Sequence, residues 1–128
     1  MEAAKLPMLI QAGDSVTVER IVQEYPELID KPDDKGFTPL ILATYFGHQK
    51  IAGILMKRGA NINAQDTSGN TALMGVCFKG FHNIAKMLID AGANVSLKNK
   101  DGETALSFAN MFGQSEIAKL LMVAGAKS

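Results

Sequence analysis

The sequence predicts an all-α solenoid, in which similar helix-turn-helix units stack one on the next. The first observation behind this prediction is an internal repeat, because residues 66–98 align with 33–65 and with 99–128 after shifts of 33 residues. The second is that glycine recurs in one frame where turns and helix ends would fall. The third is an apolar i, i+1, i+4 pattern in the second half of each unit, which marks one face of a helix.

Each unit opens with a tight turn and a capped helix. A glycine suited to the turn is followed two residues later by a threonine whose hydroxyl can cap a helix. These pairs are Gly36/Thr38, Gly69/Thr71 and Gly102/Thr104. An apolar helix then begins at a leucine and ends at a glycine that favours the left-handed conformation. The bounding pairs are Leu40/Gly47, Leu73/Gly80 and Leu106/Gly113.

The second helix of each unit carries isoleucine, alanine and leucine at one set of positions. These residues are Ile51/Ala52/Leu55, Ile84/Ala85/Leu88 and Ile117/Ala118/Leu121. Because the positions fall on one side of a 3.6-residue period, we expect this face to be buried. The lysines and the arginine of the second helices then form a solvated outer face.

This pattern resembles the ankyrin repeat. The resemblance covers residues 33–128 as three repeats, with bounds at 33–65, 66–98 and 99–128. It implies that the segments between helix pairs form β-hairpin-like fingers at right angles to the helices. The family usually carries a histidine after its Thr-Pro-Leu motif, and that histidine bonds the loops of neighbouring repeats. Here the position holds Ile41, Met74 and Ser107, so these histidine bonds are absent.

Residues 1–32 are interpreted as a degenerate first repeat that lacks its turn. Val18, Ile21 and Val22 align with second-helix positions of the following repeat. Pro26 stands where the helix-ending glycine would be, and a proline ends a helix at the preceding residue. Terminal repeats are expected to be atypical because one of their faces has no neighbour to cover it. The whole chain is therefore predicted to be one domain of four repeats.

Composition and charge argue against several classes of protein. The 13 basic and 13 acidic residues cancel, so the basic footprint of a nucleic-acid binder is missing. No window approaches the roughly 20 apolar residues of a membrane span, and the N-terminus does not resemble a signal peptide. Cys77 is the single cysteine, which fits a reducing compartment. We expect a monomeric cytoplasmic protein with no nucleic-acid or membrane partner.

Candidates for catalysis or metal binding are few. His48, Cys77 and His82 are the one conceivable metal trio, but structural zinc generally needs four ligands, and no CxxC or HxxxH spacing occurs. Cys77 as a nucleophile would need a neighbouring base, whereas buried unreactive cysteine is commoner. The adjacent carboxylates Asp33 and Asp34 are interpreted as turn chemistry beside Gly36. We expect no enzyme activity, metal or cofactor, with an unrecognised enzyme or metal protein as the alternative.

One set of side chains suggests a binding site. In ankyrin repeats the two residues before each first-helix glycine line the concave surface, together with residues near the finger tips. The helix-end residues are Tyr45, Phe46, Phe78, Lys79, Met111 and Phe112, and the finger candidates are Lys35, Phe37, Asn70 and Glu103. We predict that these ten residues bind a partner. Phe78 and Phe112 could equally pack sideways between repeats.

The predicted function is therefore non-catalytic protein–protein interaction through the concave face. The partner would be a folded or extended protein. The alternative is a structural role, in which the exposed end of the last repeat stacks on a second copy or on another domain.

Overall fold

The computed structural model describes residues 2–127, and in that part of the chain it contains eight α-helices. The helices are α1 Leu6–Gln11, α2 Ser15–Glu24, α3 Pro39–Tyr45, α4 Gln49–Lys57, α5 Ala72–Lys79, α6 His82–Asp90, α7 Ala105–Met111 and α8 Ser115–Val123. Short 3-10 helices, Glu2–Lys5 and Pro26–Leu28, precede α1 and follow α2. Residues 2–127 contain no β-strand and no helix long and apolar enough to cross a bilayer.

The helices form four pairs that stack in chain order. Within the pairs α1 packs on α2, α3 on α4, α5 on α6, and α7 on α8. Between the pairs, the first helices contact one another in the order α1, α3, α5 and α7. This arrangement confirms the predicted all-α stack of helix-turn-helix repeats.

The core lies between consecutive helix pairs. The inner first helices, α3 and α5, are buried on most sides, because each is covered by its own partner and by a repeat on either side; α3 exposes only Tyr45. The outer first helices, α1 and α7, have one neighbouring repeat and bury fewer residues. The second helices bury only the predicted isoleucine, alanine and leucine of each repeat. Burial of one such leucine stabilises the fold by about 1.5–3 kcal/mol.

The three predicted threonine caps are present. The hydroxyl oxygens of Thr38, Thr71 and Thr104 accept hydrogen bonds from the backbone N–H three residues later, at 3.2, 3.2 and 3.1 Å. Ser107 completes a capping box, because its hydroxyl oxygen accepts a hydrogen bond from the N–H of Thr104. Each cap of this kind stabilises a helix by about 1 kcal/mol.

The first helix pair lies within residues 1–32 and has its own cap. The carboxylate of Asp14 accepts a hydrogen bond from the Thr17 N–H at 3.1 Å, and hydrogen bonds from Thr17 hold the pKa of Asp14 below its ordinary value. The helix α2 ends at Glu24, before Pro26, as the proline predicted. Its buried side chains are Val18, Ile21 and Val22.

The three fingers are tight hairpin-like turns that bond to one another, and they comprise residues 33–37, 66–70 and 99–103. In the second finger, for example, the Asp66 N–H donates to the Asn70 carbonyl at 2.9 Å. The Thr67 N–H donates to the Lys35 carbonyl at 3.1 Å, and the Lys100 N–H donates to the Ser68 carbonyl at 3.0 Å. These backbone bonds connect consecutive fingers. The histidines that usually bond such loops are absent here, because Ile41, Met74 and Ser107 occupy the corresponding positions.

The finger glycines adopt the positive φ that their tight turns require, but their surroundings differ. Gly69 has φ 82°, and a Cβ added there would lie 2.9 Å from the Cα of Asn99 and 3.0 Å from the N of Lys100. Gly102 has φ 77°, and an added Cβ would meet nothing within 4 Å. A side chain at Gly69 therefore conflicts with the next finger, whereas one at Gly102 strains only its own backbone.

We expect Gly69→Ala to cost about 2–4 kcal/mol of unfolding free energy and Gly102→Ala about 1–2 kcal/mol. Both variants carry the strain of a left-handed alanine, and only Gly69→Ala also forces two fingers apart. Urea unfolding of the two variants and the wild type measures the difference. Equal costs would show that a side chain at Gly69 does not clash with the next finger.

Candidate binding surface

Aromatic side chains from three consecutive repeats form a continuous row across the first helices. This aromatic row consists of Tyr45, Phe46, Phe78, Phe108 and Phe112. The rings of Tyr45 and Phe78 are stacked with centroids 6.4 Å apart, and those of Phe78 and Phe112 meet edge-to-face at 4.7 Å. Phe46 and Phe108 extend the row at 5.7 Å from Tyr45 and 6.2 Å from Phe112. Phe108 is not among the ten residues that the sequence predicted to bind a partner.

The rings pack on one another and also face solvent. Tyr45 is 37%, Phe46 44%, Phe78 44% and Phe112 42% exposed. The two alternatives for Phe78 and Phe112, exposure and sideways packing, are therefore not exclusive. Edge-to-face and offset contacts of this kind contribute about 0.5–1.5 kcal/mol per pair beyond buried area, and they fix the orientation of each ring.

Lys79 and Met111 adjoin this row. The Lys79 ammonium lies 4.8 Å from the centroid of the Tyr45 ring, within the range of a cation–π interaction. The Met111 side chain is 58% exposed at the end of α7, directly before Phe112. A positive charge and a flexible thioether thus border the aromatic surface.

The predicted finger residues occupy different environments. Lys35 is exposed, whereas Phe37 is partly buried and packs against the core. The amide oxygen of Asn70 accepts a hydrogen bond from the Asn99 side chain at 2.8 Å, so this group already joins two fingers. Glu103 is half-buried, and its carbonyl accepts the Asn99 N–H at 2.9 Å.

A groove of about 590 Å³ lies between α3, α5 and the first two fingers. It brings together five of the predicted residues: Lys35, Phe37, Tyr45, Phe46 and Asn70. The groove is also lined by residues that are not among the ten predicted ones, including Asp33, Asp34, Asp66, Leu42 and Gly75. Gly75 carried a signal in the sequence, because the corresponding positions of the neighbouring repeats hold Leu42 and Phe108. Phe78, Lys79, Glu103, Met111 and Phe112 do not line this groove.

The described residues contain no group of three or more His, Cys, Asp or Glu that could hold a metal ion, so the trio of His48, Cys77 and His82 is not assembled. The Nε2 of His48 lies 2.8 Å from the Gln11 carbonyl oxygen. This hydrogen bond links the start of α4 to the first repeat. His82 is exposed at the start of α6. Cys77 is fully buried, and burial raises the pKa of its thiol to about 12.

Comparison with protein families is consistent with this geometry. A family model described as Ankyrin repeats (3 copies) matches residues 59–128, and one described as Ankyrin repeat matches residues 35–67. No curated protein matches the chain.

We expect Cys77 to react slowly with a thiol reagent in the native protein and rapidly in denaturant, because its sulfur is buried and protonated. Stopped-flow labelling with and without urea measures both rates. Fast labelling of the native state, accompanied by loss of a function, would contradict an inert cysteine. It would support the alternative that Cys77 is a nucleophile.

The raised pKa of Cys77 also predicts a pH dependence. Above the ordinary thiol pKa of 9.0 the unfolded chain loses this proton while the folded chain keeps it until about pH 12. The stabilisation is therefore complete below pH 9 and lost through that interval, at up to about 1.4 kcal/mol per pH unit. Unfolding of wild type and Cys77→Ala between pH 8 and 11 isolates this slope, because every other group titrates in both proteins. Parallel curves would show that the thiol ionises within the fold.

Proposed function

Because the chain belongs to the ankyrin-repeat family, we propose that it is a non-catalytic module that binds a protein partner through the aromatic row and the neighbouring finger residues. Ankyrin repeats generally mediate protein binding and are usually not catalytic. The proposed surface corresponds to the concave face of the family. Its residues are the ten predicted ones: Lys35, Phe37, Tyr45, Phe46, Asn70, Phe78, Lys79, Glu103, Met111 and Phe112.

The observation that carries the proposal is the exposure of the aromatic row. Four of its rings are each 37–44% exposed and lie side by side over three repeats. Contiguous apolar patches on small proteins usually mark interaction sites, and aromatic side chains dominate binding energy when a partner covers them. The ring–ring contacts support the same use, because side chains already held in place lose less entropy when a partner binds.

Charged groups around the row would orient the partner. Lys79 lies at the centre, over Tyr45, while Lys35 and Glu103 belong to fingers at opposite ends. Charges at the edge of an interface contribute more to the association rate and to specificity than to affinity. We propose that these three residues set the direction in which a partner lies across the repeats.

The charge balance and the single cysteine bear on the class of partner and on the compartment. The balance of 13 basic and 13 acidic residues supports a partner that is neither a nucleic acid nor a membrane surface. The single buried cysteine fits the reducing cytoplasm. The protein would act there as a monomer.

A second candidate function is assembly through the last repeat. Val123 is 89% and Met122 is 53% exposed on α8, and such apolar side chains favour stacking on a second copy or another domain. Light scattering at several concentrations separates the two candidates: a mass that rises with concentration favours assembly, and a constant monomer mass favours the interaction module.

To test the aromatic row, we expect Tyr45→Ala and Phe78→Ala each to weaken partner binding by about 1–3 kcal/mol, with a small loss of stability. The core control Leu88→Ala should instead cost about 2–5 kcal/mol of stability. Partners captured from the native cell by the wild type supply the ligand for titration against all variants, and thermal melting measures their stability. If Tyr45→Ala and Phe78→Ala lose as much stability as Leu88→Ala does, at unchanged affinity, the rings serve only as packing residues.

A further inference from the structure

The centre of α5 contains a glycine where the neighbouring repeats have large side chains. Gly75 lies mid-helix, where glycine weakens a helix relative to alanine. The corresponding residues are Leu42 in α3 and Phe108 in α7. A Cβ added to Gly75 would lie 3.3 Å from Cδ1 of Tyr45, so the missing side chain would point at that ring. Gly75 and Tyr45 both line the adjoining groove, so the glycine leaves a shallow notch in its wall that the Tyr45 ring bounds on one side.

This notch opens into the groove between α3, α5 and the first two fingers. The groove has a volume of about 590 Å³, and Leu42, Phe37 and Tyr45 give it an apolar lining. That volume falls in the range of pockets that bury a small ligand or a large side chain. A leucine- or phenylalanine-sized group from a partner would lie in the groove over Gly75 and against the Tyr45 ring.

The rim of the groove is acidic. Asp33, Asp34 and Asp66 line it together with one basic residue, Lys35. The Asp33 Oδ1 accepts the N–H groups of Lys35 and Phe37, each at 2.9 Å, and Asp66 Oδ1 accepts two N–H groups of its own finger in the same way. These bonds hold two carboxylates in fixed orientations beside the groove, and Asp34 is exposed next to them.

The rim belongs to a wider division of charge along the stack. Residues 1–34 contain eight acidic and three basic side chains, whereas residues 35–128 contain five acidic and ten basic ones. The groove lies where these two regions meet, with two of its three carboxylates contributed by the acidic region. A partner segment that enters the groove therefore meets negative charge at the end that points toward the first repeat.

We propose that this groove binds an extended segment of the partner in which a large apolar side chain fills the notch at Gly75 and an adjacent lysine or arginine pairs with the carboxylates of the rim. The inference rests on the proposed function and deepens it, because it states the composition and the direction of the bound segment. The apolar residue lies against Tyr45. The basic residue lies on the side of the first repeat.

A displayed library of random 12-residue peptides, selected on the immobilised wild-type chain, tests this directly. We expect the selected peptides to carry Lys or Arg within two residues of Leu, Met or Phe. The strongest peptide is then synthesised and its Kd measured by fluorescence anisotropy. Gly75→Leu should raise the Kd by about tenfold or more, because the new side chain occupies the notch. Asp34→Asn should raise it about threefold at low salt, with a smaller effect in high salt.

The matched control is Gly53→Leu. Gly53 is also a mid-helix glycine, in α4, and an added Cβ meets nothing within 4 Å. Both substitutions favour the helix, so Gly53→Leu should melt at or above the wild-type temperature. Gly75→Leu should melt near it, because displacement of the Tyr45 ring offsets the gain in helix propensity. Only Gly75→Leu should lose the peptide. If Gly75→Leu fails to fold, Gly75→Ala replaces it, since its Cβ requires only a small shift of the Tyr45 ring.

Three results would overturn the inference: no peptide selected, selected peptides without basic residues, or wild-type affinity in Gly75→Leu. Phe78→Ala separates this failure from failure of the proposed function. Peptides that tolerate Gly75→Leu but lose affinity for Phe78→Ala leave the aromatic row as the binding surface and remove only the groove. Peptides that tolerate both substitutions remove the two proposals together.

Discussion

Backbone contact between consecutive fingers sets the spacing of this structure. A Cβ on Gly36 would lie 2.7 Å from the N of Thr67, and one on Gly69 would lie 2.9 Å from the Cα of Asn99. No side chain fits at such distances, so each turn lies directly against the next, and hydrogen bonds such as Thr67 N–H to the Lys35 carbonyl hold it there. The stacking of the helices depends on this spacing, because α3, α5 and α7 each begin at a threonine cap two residues after a turn glycine.

The aromatic row is a consequence of the same spacing. Since the first helices lie side by side, the residues at their ends meet their counterparts in the next repeat, and the rings of Tyr45, Phe78 and Phe112 fall within 4.7–6.4 Å of their neighbours. The row therefore stabilises the stack and faces solvent at once. Replacing one ring therefore changes both the stability of the stack and the affinity for a partner. The relative size of these two changes shows whether the ring serves packing or binding.

Local chemistry explains how much of this could be predicted from the sequence. Three features depend only on residues close in sequence: the threonine caps, the turn glycines and the isoleucine–alanine–leucine faces. Because each recurs three times, their pattern predicted the helices. The groove could not be predicted in this way, because the notch at Gly75 exists only when the Tyr45 ring of the preceding repeat lies beside it. For the same reason, the hydrogen bond that the Asn70 amide oxygen accepts from Asn99 of the next finger could not be predicted.

The division of charge along the chain has a further physical consequence. Because the repeats stack in chain order, an acidic segment at one end of the sequence becomes an acidic end of the molecule, and a chain with no net charge acquires a large electric dipole moment. Near its isoelectric point, at about pH 6.7, such a molecule attracts the opposite end of another copy. Dissolved ions screen that attraction over about 10 Å at 0.1 M. The protein should therefore salt in, dissolving better as ionic strength rises from very low values.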